Sequence, residues 1–143
     1  MKNAKHTGMT LIEIIVSVAI IAILAAGLFS VGSYIDTQTK IKKTESTIQL
    51  LVTALERYQD FYRGFPNKNS DLYEKLSLAP EAKKIIDQMD RKAMKKSGSN
   101  ILFCDAWGNE LDYDYDDGDN FPVITSPGPK SDTTEDDISS KKL

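Results

Sequence analysis

The sequence predicts an α+β fold in which a long amino-terminal helix packs on a small antiparallel β-sheet head. The first half of the helix is expected to be a transmembrane stem and the second half to be amphipathic. Three patterns predict this fold: a nearly unbroken apolar run over 11–31, apolar residues at helical spacing up to 62, and alternating apolar and acidic residues over 111–116.

Composition excludes several classes of protein. The chain has 143 residues and a net charge of -3, so it is not a strongly basic nucleic-acid binder, and no nucleic-acid partner is expected. Its single cysteine, Cys104, excludes a disulfide framework within the chain. With His6 as its only histidine, the chain also lacks the ligands of a thiolate zinc site.

The apolar run is long enough to span a membrane, since 21 helical residues cover roughly 30 Å. Lys2 and Lys5 precede it, which predicts a cytoplasmic amino terminus and a head on the other side of the membrane. Four residues of the run lie outside the apolar set: Glu13, Ser17, Gly27 and Ser30.

Two simple interpretations of this run are a cleaved secretory signal and an uncleaved anchor, and a third follows from the residues around Gly8. A cleaved secretory signal has a shorter apolar region than this run and a clean small-residue cleavage site, which this run lacks. An uncleaved anchor fits the length, but it does not explain Glu13, whose burial near the start of a span costs about 1–3 kcal/mol. A shallow Glu13 that reaches headgroup water would simply be tolerated.

The residues Gly8-Met9-Thr10-Leu11-Ile12-Glu13, which follow a short basic leader, resemble the processing motif of type IV prepilins and type II secretion pseudopilins. The resemblance implies that a prepilin peptidase cuts between Gly8 and Met9 and that the new amino group of Met9 is N-methylated. Phenylalanine is commonest at the position of Met9, and methionine is a familiar substitute.

Glu13 is the expected assembly residue. The cleaved Met9 would carry a positive amine at the membrane, and Glu13 of an adjacent subunit could pair with it. The free-energy cost of burying the Met9 amine and the Glu13 carboxylate would then be offset only in the assembled polymer.

The second half of the helix is predicted from an apolar stripe, and the whole helix is expected to run from Thr10 to Arg63. Gly64 is the predicted residue just past its carboxyl end. A two-stranded coiled coil is the alternative, but no heptad is sustained. The stripe consists of Ile35, Ile41, Ile48, Leu51, Leu55, Tyr58 and Tyr62.

The rest of the chain divides by composition. A loop and one or two short helices are expected over 67–100, the second helix starting at Pro80 and extending its apolar side to Met94. The segment 40–96 sums to +5, and a solvated surface is favoured over a phosphate site because acids alternate with its bases. The predicted segments are a leader (1–8), a stem (9–31), a stalk helix (32–66), a variable helical region (67–100) and a sheet with an acidic loop (101–143).

The segment 105–137 carries eleven acids and one base, a net charge of -10. Its alternating pattern predicts a β-hairpin whose aromatic side chains point inward. Asp105-Ala106-Trp107-Gly108-Asn109 resembles a signature of the major pseudopilin of type II secretion systems. Trp107 is also expected to fill the core and Gly108-Asn109 to form a turn.

A calcium ion is a further expectation from that resemblance, because major pseudopilins hold one in a loop that opens with Ser-x-Gly and closes with Asp-Ile. Here the candidate ligands are Asp132, Asp136 and Asp137, with backbone carbonyls. Lys130 replaces an aspartate that is usual in this loop. A merely solvated acidic run is the alternative.

The resemblance implies a structural subunit of the type II secretion pseudopilus that drives export of folded proteins, and no enzyme is expected. Its implied partners are copies of itself, minor pseudopilins, the prepilin peptidase, the inner-membrane assembly platform with its ATPase, and the outer-membrane secretin channel. The chain would sit in the bacterial inner membrane with a periplasmic head. The alternatives are a type IV pilus or DNA-uptake pilin, and a signal-anchored periplasmic binding domain that never polymerises.

Overall fold

The computed structural model describes residues 9–116, 118–130 and 136–143, and for 28–31 and 33 it describes the backbone only. Contacts divide the chain into two units, the residues up to Asp36 and the segment Thr37–Leu143, which is called the head below. The architecture is α+β, with a long first helix followed by small antiparallel sheets, so the predicted fold class is confirmed.

Helix α1 spans Leu11–Tyr62, within one residue of the prediction at each end. The predicted helix terminator is wrong, because Arg63 and not Gly64 adopts the left-handed conformation, with φ 59°. The N–H of Arg63 donates to the carbonyl of Gln59 at 2.7 Å, which closes the last turn. The helix ends one residue earlier than expected, and an arginine therefore occupies the position that favours glycine.

Within the described residues, no helix is long and apolar enough to cross a membrane. The span predicted for 11–31, which includes four residues whose side chains are not described, stays a prediction.

Short helices follow α1 in the head. Pro80 is the first residue of α3, as predicted. Proline is tolerated there because N–H groups in the first turn of a helix have no acceptor within the helix, so the missing N–H costs no hydrogen bond. The 3₁₀ turns are Asn69–Asp71, Arg91–Ala93 and Ser140–Lys142, and the α-helices are α2 (Leu72–Leu78) and α3 (Pro80–Ile86).

Two antiparallel sheets complete the head. β1 (Met94–Ser97) pairs with β2 (Asn100–Phe103), and Ser97 lies opposite Asn100 across a two-residue turn. The prediction that Met94 belongs to a helix is therefore wrong. Gly98, with φ 61°, forms the tight turn between the two strands.

The second sheet has the order β3-β4-β5, with β3 at Asp112–Asp114, β4 at Val123–Ser126 and β5 at Ile138–Ser139. The predicted acidic hairpin is confirmed, since Tyr113 pairs with Ile124 and both are buried. The exposed Asp112 and Asp114 flank Tyr113, as a period of two requires.

The head has a closed apolar core that α1 shares with the short helices and the sheets. Ile35 and Tyr62, at the two ends of the predicted stripe, are exposed, so the prediction fails at both of its ends. The largest fully buried apolar side chains are Ile48, Leu51, Leu55, Leu76, Ile86, Phe103 and Ile124.

Candidate functional site

The first half of α1 presents apolar side chains on every side. The large apolar residues from Met9 to Leu24 are between 48% and 77% exposed. Burying one such side chain is worth about 1.5–3 kcal/mol. This surface therefore favours association with lipid or with other subunits.

Thr10 and Glu13 form a capping box at the start of this helix. The Thr10 N–H donates to Glu13 Oε2 and the Glu13 N–H donates to Thr10 Oγ1, each at 3.4 Å. Both bonds are long and both groups are exposed, so each is weak. The Glu13 carboxylate is therefore held beside the helix start without being buried.

The predicted processing residues lie at this same end of the chain. Gly8 lies outside the described residues, while Met9 is 68% exposed immediately before Thr10. No hydrogen bond joins Met9 to Glu13 within this described segment. Glu13 is exposed, so its carboxylate is accessible from outside the chain.

Asp105 organises a second cluster, in the head. It is 3% exposed, and its Oδ1 accepts the N–H groups of Trp107 and Asn109, both at 2.9 Å. Its Oδ2 accepts the Ser126 hydroxyl at 2.9 Å and the Asn109 side-chain amide at 3.2 Å. Four donors thus offset the cost of burying this carboxylate.

The Asp105 cluster extends to two other parts of the head. The N–H of Ala106 donates to the hydroxyl of Thr44, a fully buried residue of α1, at 3.1 Å. The Asn109 side-chain amide also donates to the carbonyl of Gly128 at 3.1 Å. The turn therefore ties the helix, strand β4 and the loop after it together.

Trp107 does not fill the core, contrary to prediction. Its backbone N–H binds Asp105 while the residue remains partly exposed. Gly108, with φ 90°, makes the predicted turn. The neighbouring buried thiol is Cys104; burial raises its pKa, Asp105 and Glu110 raise it further, and Lys95 lowers it.

The described end of the acidic loop is held by Asp136. Its Oδ2 accepts the N–H of Lys130 at 2.9 Å. A Cβ on Gly128 would lie 2.6 Å from the Asp136 carbonyl oxygen, so only glycine fits there, and its φ of 67° also favours glycine.

The predicted calcium ligands are only partly described. Asp136 and Asp137 are partly buried, and Asp132 lies outside the described residues. In the portion of the chain that is described, no group of three His, Cys, Asp or Glu side chains could hold a metal ion. The calcium site therefore stays a prediction.

Two features of these sites were missed by the sequence reasoning. The pattern Thr-x-x-Glu before an apolar run is a recognised helix start and could have identified Thr10 as the partner of Glu13. The contact between Asp105 and Ser126 joins residues 21 positions apart and has no local signal.

Comparison with known proteins identifies the amino-terminal segment. Residues 3–29, about a fifth of the chain, match the prokaryotic N-terminal methylation motif. No curated protein and no solved structure matches the chain. The matched segment contains Gly8, Met9, Thr10 and Glu13 together with most of the exposed apolar surface. The chain therefore carries a type IV prepilin-like processing and methylation signal, which indicates a type IV pilin-like, inner-membrane-anchored protein.

Proposed function

We propose that this protein is a pseudopilin subunit of a type II secretion pseudopilus, cleaved after Gly8, methylated at Met9 and polymerised to drive export of folded proteins. The observation that carries the proposal is the methylation motif over 3–29, which leads directly into an exposed apolar stem. Its proposed role is structural: the assembly ATPase and platform drive polymerisation, and the secretin is the outer-membrane channel.

Two further observations support secretion over a pilus. The chain has a single cysteine, so it cannot form the carboxyl-terminal disulfide that would favour a pilin. Its Asp-x-Trp-Gly-Asn turn also resembles that of major pseudopilins. A type IV pilus or DNA-uptake pilin is the second candidate, because the motif alone serves both machines.

The first test is mass spectrometry of the amino terminus of the protein recovered from membranes of a host with a prepilin peptidase. We expect a chain that begins with N-methylated Met9. A Gly8→Val variant, which places a branched side chain at the cleavage site, should keep its leader. An intact leader on the unmodified chain would reject both pilin-like functions and leave the anchored binding domain.

The second test separates two roles of Glu13. Glu13→Gln keeps an oxygen that can cap Thr10 but removes the charge, whereas Glu13→Ala removes both. If Glu13 pairs with a neighbouring amine, both variants are processed but neither forms filaments. Ser17→Ala, which removes only a hydroxyl bond to the Glu13 carbonyl, is the matched control and should assemble. Filaments of Glu13→Gln at the unmodified yield would contradict the charge-pair role.

Calcium binding is a subsidiary proposal that depends on Asp132 joining Asp136 and Asp137. Lys130 argues against it, because it brings a cation to the loop and its N–H occupies Asp136 Oδ2. The test compares melting of the full chain in detergent with calcium and with a chelator. An increase in melting temperature that Asp132→Asn abolishes supports the site, and identical curves reject it.

A further inference from the structure

The hairpin β1–β2 and the 3₁₀ turn that precedes it carry four exposed basic residues, called here the basic hairpin: Arg91, Lys92, Lys95 and Lys96. The six residues from Lys95 to Asn100 are all exposed, so this end of the hairpin faces solvent. Across the described residues, none of these four bases forms an ion pair. The carboxylate of the adjacent Asp90 instead accepts the N–H of Lys92 at 3.0 Å.

Strand β3 and the turn after it carry the opposite charge, on a surface called here the acidic strip: Asp112, Asp114, Asp116 and Asp119. All four are exposed. Asp112 and Asp114 lie on the face of β3 opposite the buried Tyr113. No lysine or arginine of the described chain forms an ion pair with any of them. Like charges in each surface therefore repel one another in the separate subunit.

Both surfaces lie in the head, and each copy of the chain carries one of each. A contact between the basic hairpin of one copy and the acidic strip of another joins two different surfaces. A reciprocal contact about a two-fold axis would use all four surfaces and close a dimer. A one-way contact leaves a free basic hairpin at one end of the pair and a free acidic strip at the other, and its repetition builds a ring or a filament.

We propose that the basic hairpin of one subunit docks on the acidic strip of a neighbouring subunit in the assembled polymer. The inference rests on the proposed polymeric function and adds to it a specific head contact. The apolar stem supplies the non-directional part of the association. The charged contact adds direction and register, which is what complementary charges contribute at interfaces.

The test is charge reversal with rescue in the full chain. The basic variant is Lys95→Glu with Lys96→Glu, the acidic variant is Asp112→Lys with Asp114→Lys, and the combined variant carries all four changes. Each single-surface variant should reduce chemically cross-linked oligomers roughly tenfold, and the combined variant should restore most of that loss.

Two controls make the result specific. Lys68→Glu with Lys75→Glu changes the net charge by the same amount on exposed residues outside both surfaces, and it should leave the oligomer yield unchanged. Circular dichroism and melting should be unchanged in all variants, because every altered side chain is exposed.

The outcomes separate this proposal from the broader one. Oligomers at unmodified yield in both single-surface variants, or a combined variant no better than either, would overturn the head contact while leaving the pseudopilin function intact. Binding to phosphatidylglycerol vesicles is measured for the same variants. If the basic variant binds these vesicles less than the unmodified chain does, and the combined variant restores neither vesicle binding nor oligomers, the basic hairpin binds lipid and the head contact is rejected. Failure of the unmodified chain to polymerise would reject both proposals.

Discussion

The stem and the head differ in where their apolar side chains find partners. From Met9 to Leu24 the large apolar residues are exposed, whereas Ile48, Leu51 and Leu55 farther along the same helix are fully buried. The same kind of side chain thus stabilises the head internally and leaves the stem dependent on its surroundings. Stability and assembly are therefore expected to respond to different mutations.

Removing the stem should have the largest effect. A fragment that begins at Thr37 retains the complete buried core and should be soluble without detergent and unfold cooperatively. The measurement is a melting curve by circular dichroism, with the full chain in detergent as the control. A fragment without a cooperative transition would show that the head needs the stem to fold, and it would contradict the claim that the head is stabilised by its own core.

Within the head, loss of the Asp105 carboxylate should have the largest effect. Asp105→Ala leaves four donors without their acceptor and should lower the free energy of unfolding by about 3 kcal/mol. Urea unfolding of the fragment measures this. The exposed Asp112→Ala is the control and should change stability by less than about 0.5 kcal/mol. If Asp105→Ala and Asp112→Ala lower the free energy of unfolding equally, the four hydrogen bonds to Asp105 do not stabilise the head as proposed.

High pH should weaken the head through a buried tyrosine. Burial, with smaller contributions from Tyr115 and Tyr58, raises the pKa of Tyr113 well above its usual value of 10.0. Because the folded head favours the neutral phenol, this stability is fully present below about pH 10 and is lost as the pH rises beyond it.

Tyr113→Phe tests this effect. It removes the hydroxyl bond to the carbonyl of Pro66, at 2.7 Å, and should cost about 1 kcal/mol at neutral pH. It should also reduce the loss of stability between about pH 7 and pH 11, measured by urea unfolding at both values. The same loss in both proteins would assign the pH effect to other groups.

The smallest expected effect is a gain of stability at the end of α1. Arg63 has a left-handed backbone, so Arg63→Gly should stabilise the head by about 0.5–1 kcal/mol. Gly64→Ala is the matched control, because Gly64 has an ordinary φ and open space around it, and it should be close to neutral. A destabilised Arg63→Gly would mean that the arginine side chain contributes more than the backbone costs.

Local patterns predicted the parts of the fold that depend on local physics. The spacing of Ile48, Leu51 and Leu55 identified the buried side of the helix, and the alternation around Tyr113 identified strand β3. Pro80 marked the start of α3. The first two predictions rest on the spacing of apolar residues along a helix or a strand, and the third rests on the fixed φ of proline.

Predictions failed where the structure depends on distant contacts or on a choice between similar signals. Thr44 lies four residues before Ile48 on the buried side of α1, but its hydroxyl accepts the N–H of Ala106, 62 positions away, and no local pattern predicts that bond. Met94 lies eight positions after Ile86, which fits a helical spacing, yet it pairs with Phe103 across a turn at Gly98. A glycine such as Gly98 can follow the end of a helix or form the turn of a hairpin. The hairpin forms here because residues 100–103 pair with residues 94–97.

The burial of Cys104 has a consequence for storage of the protein. Thiolates, not thiols, attack disulfides; the raised pKa of this cysteine favours the thiol, and burial shields its sulfur. Copies of the chain held close together would therefore resist accidental disulfide formation through this thiol. Contacts between them would form without a covalent bond at Cys104.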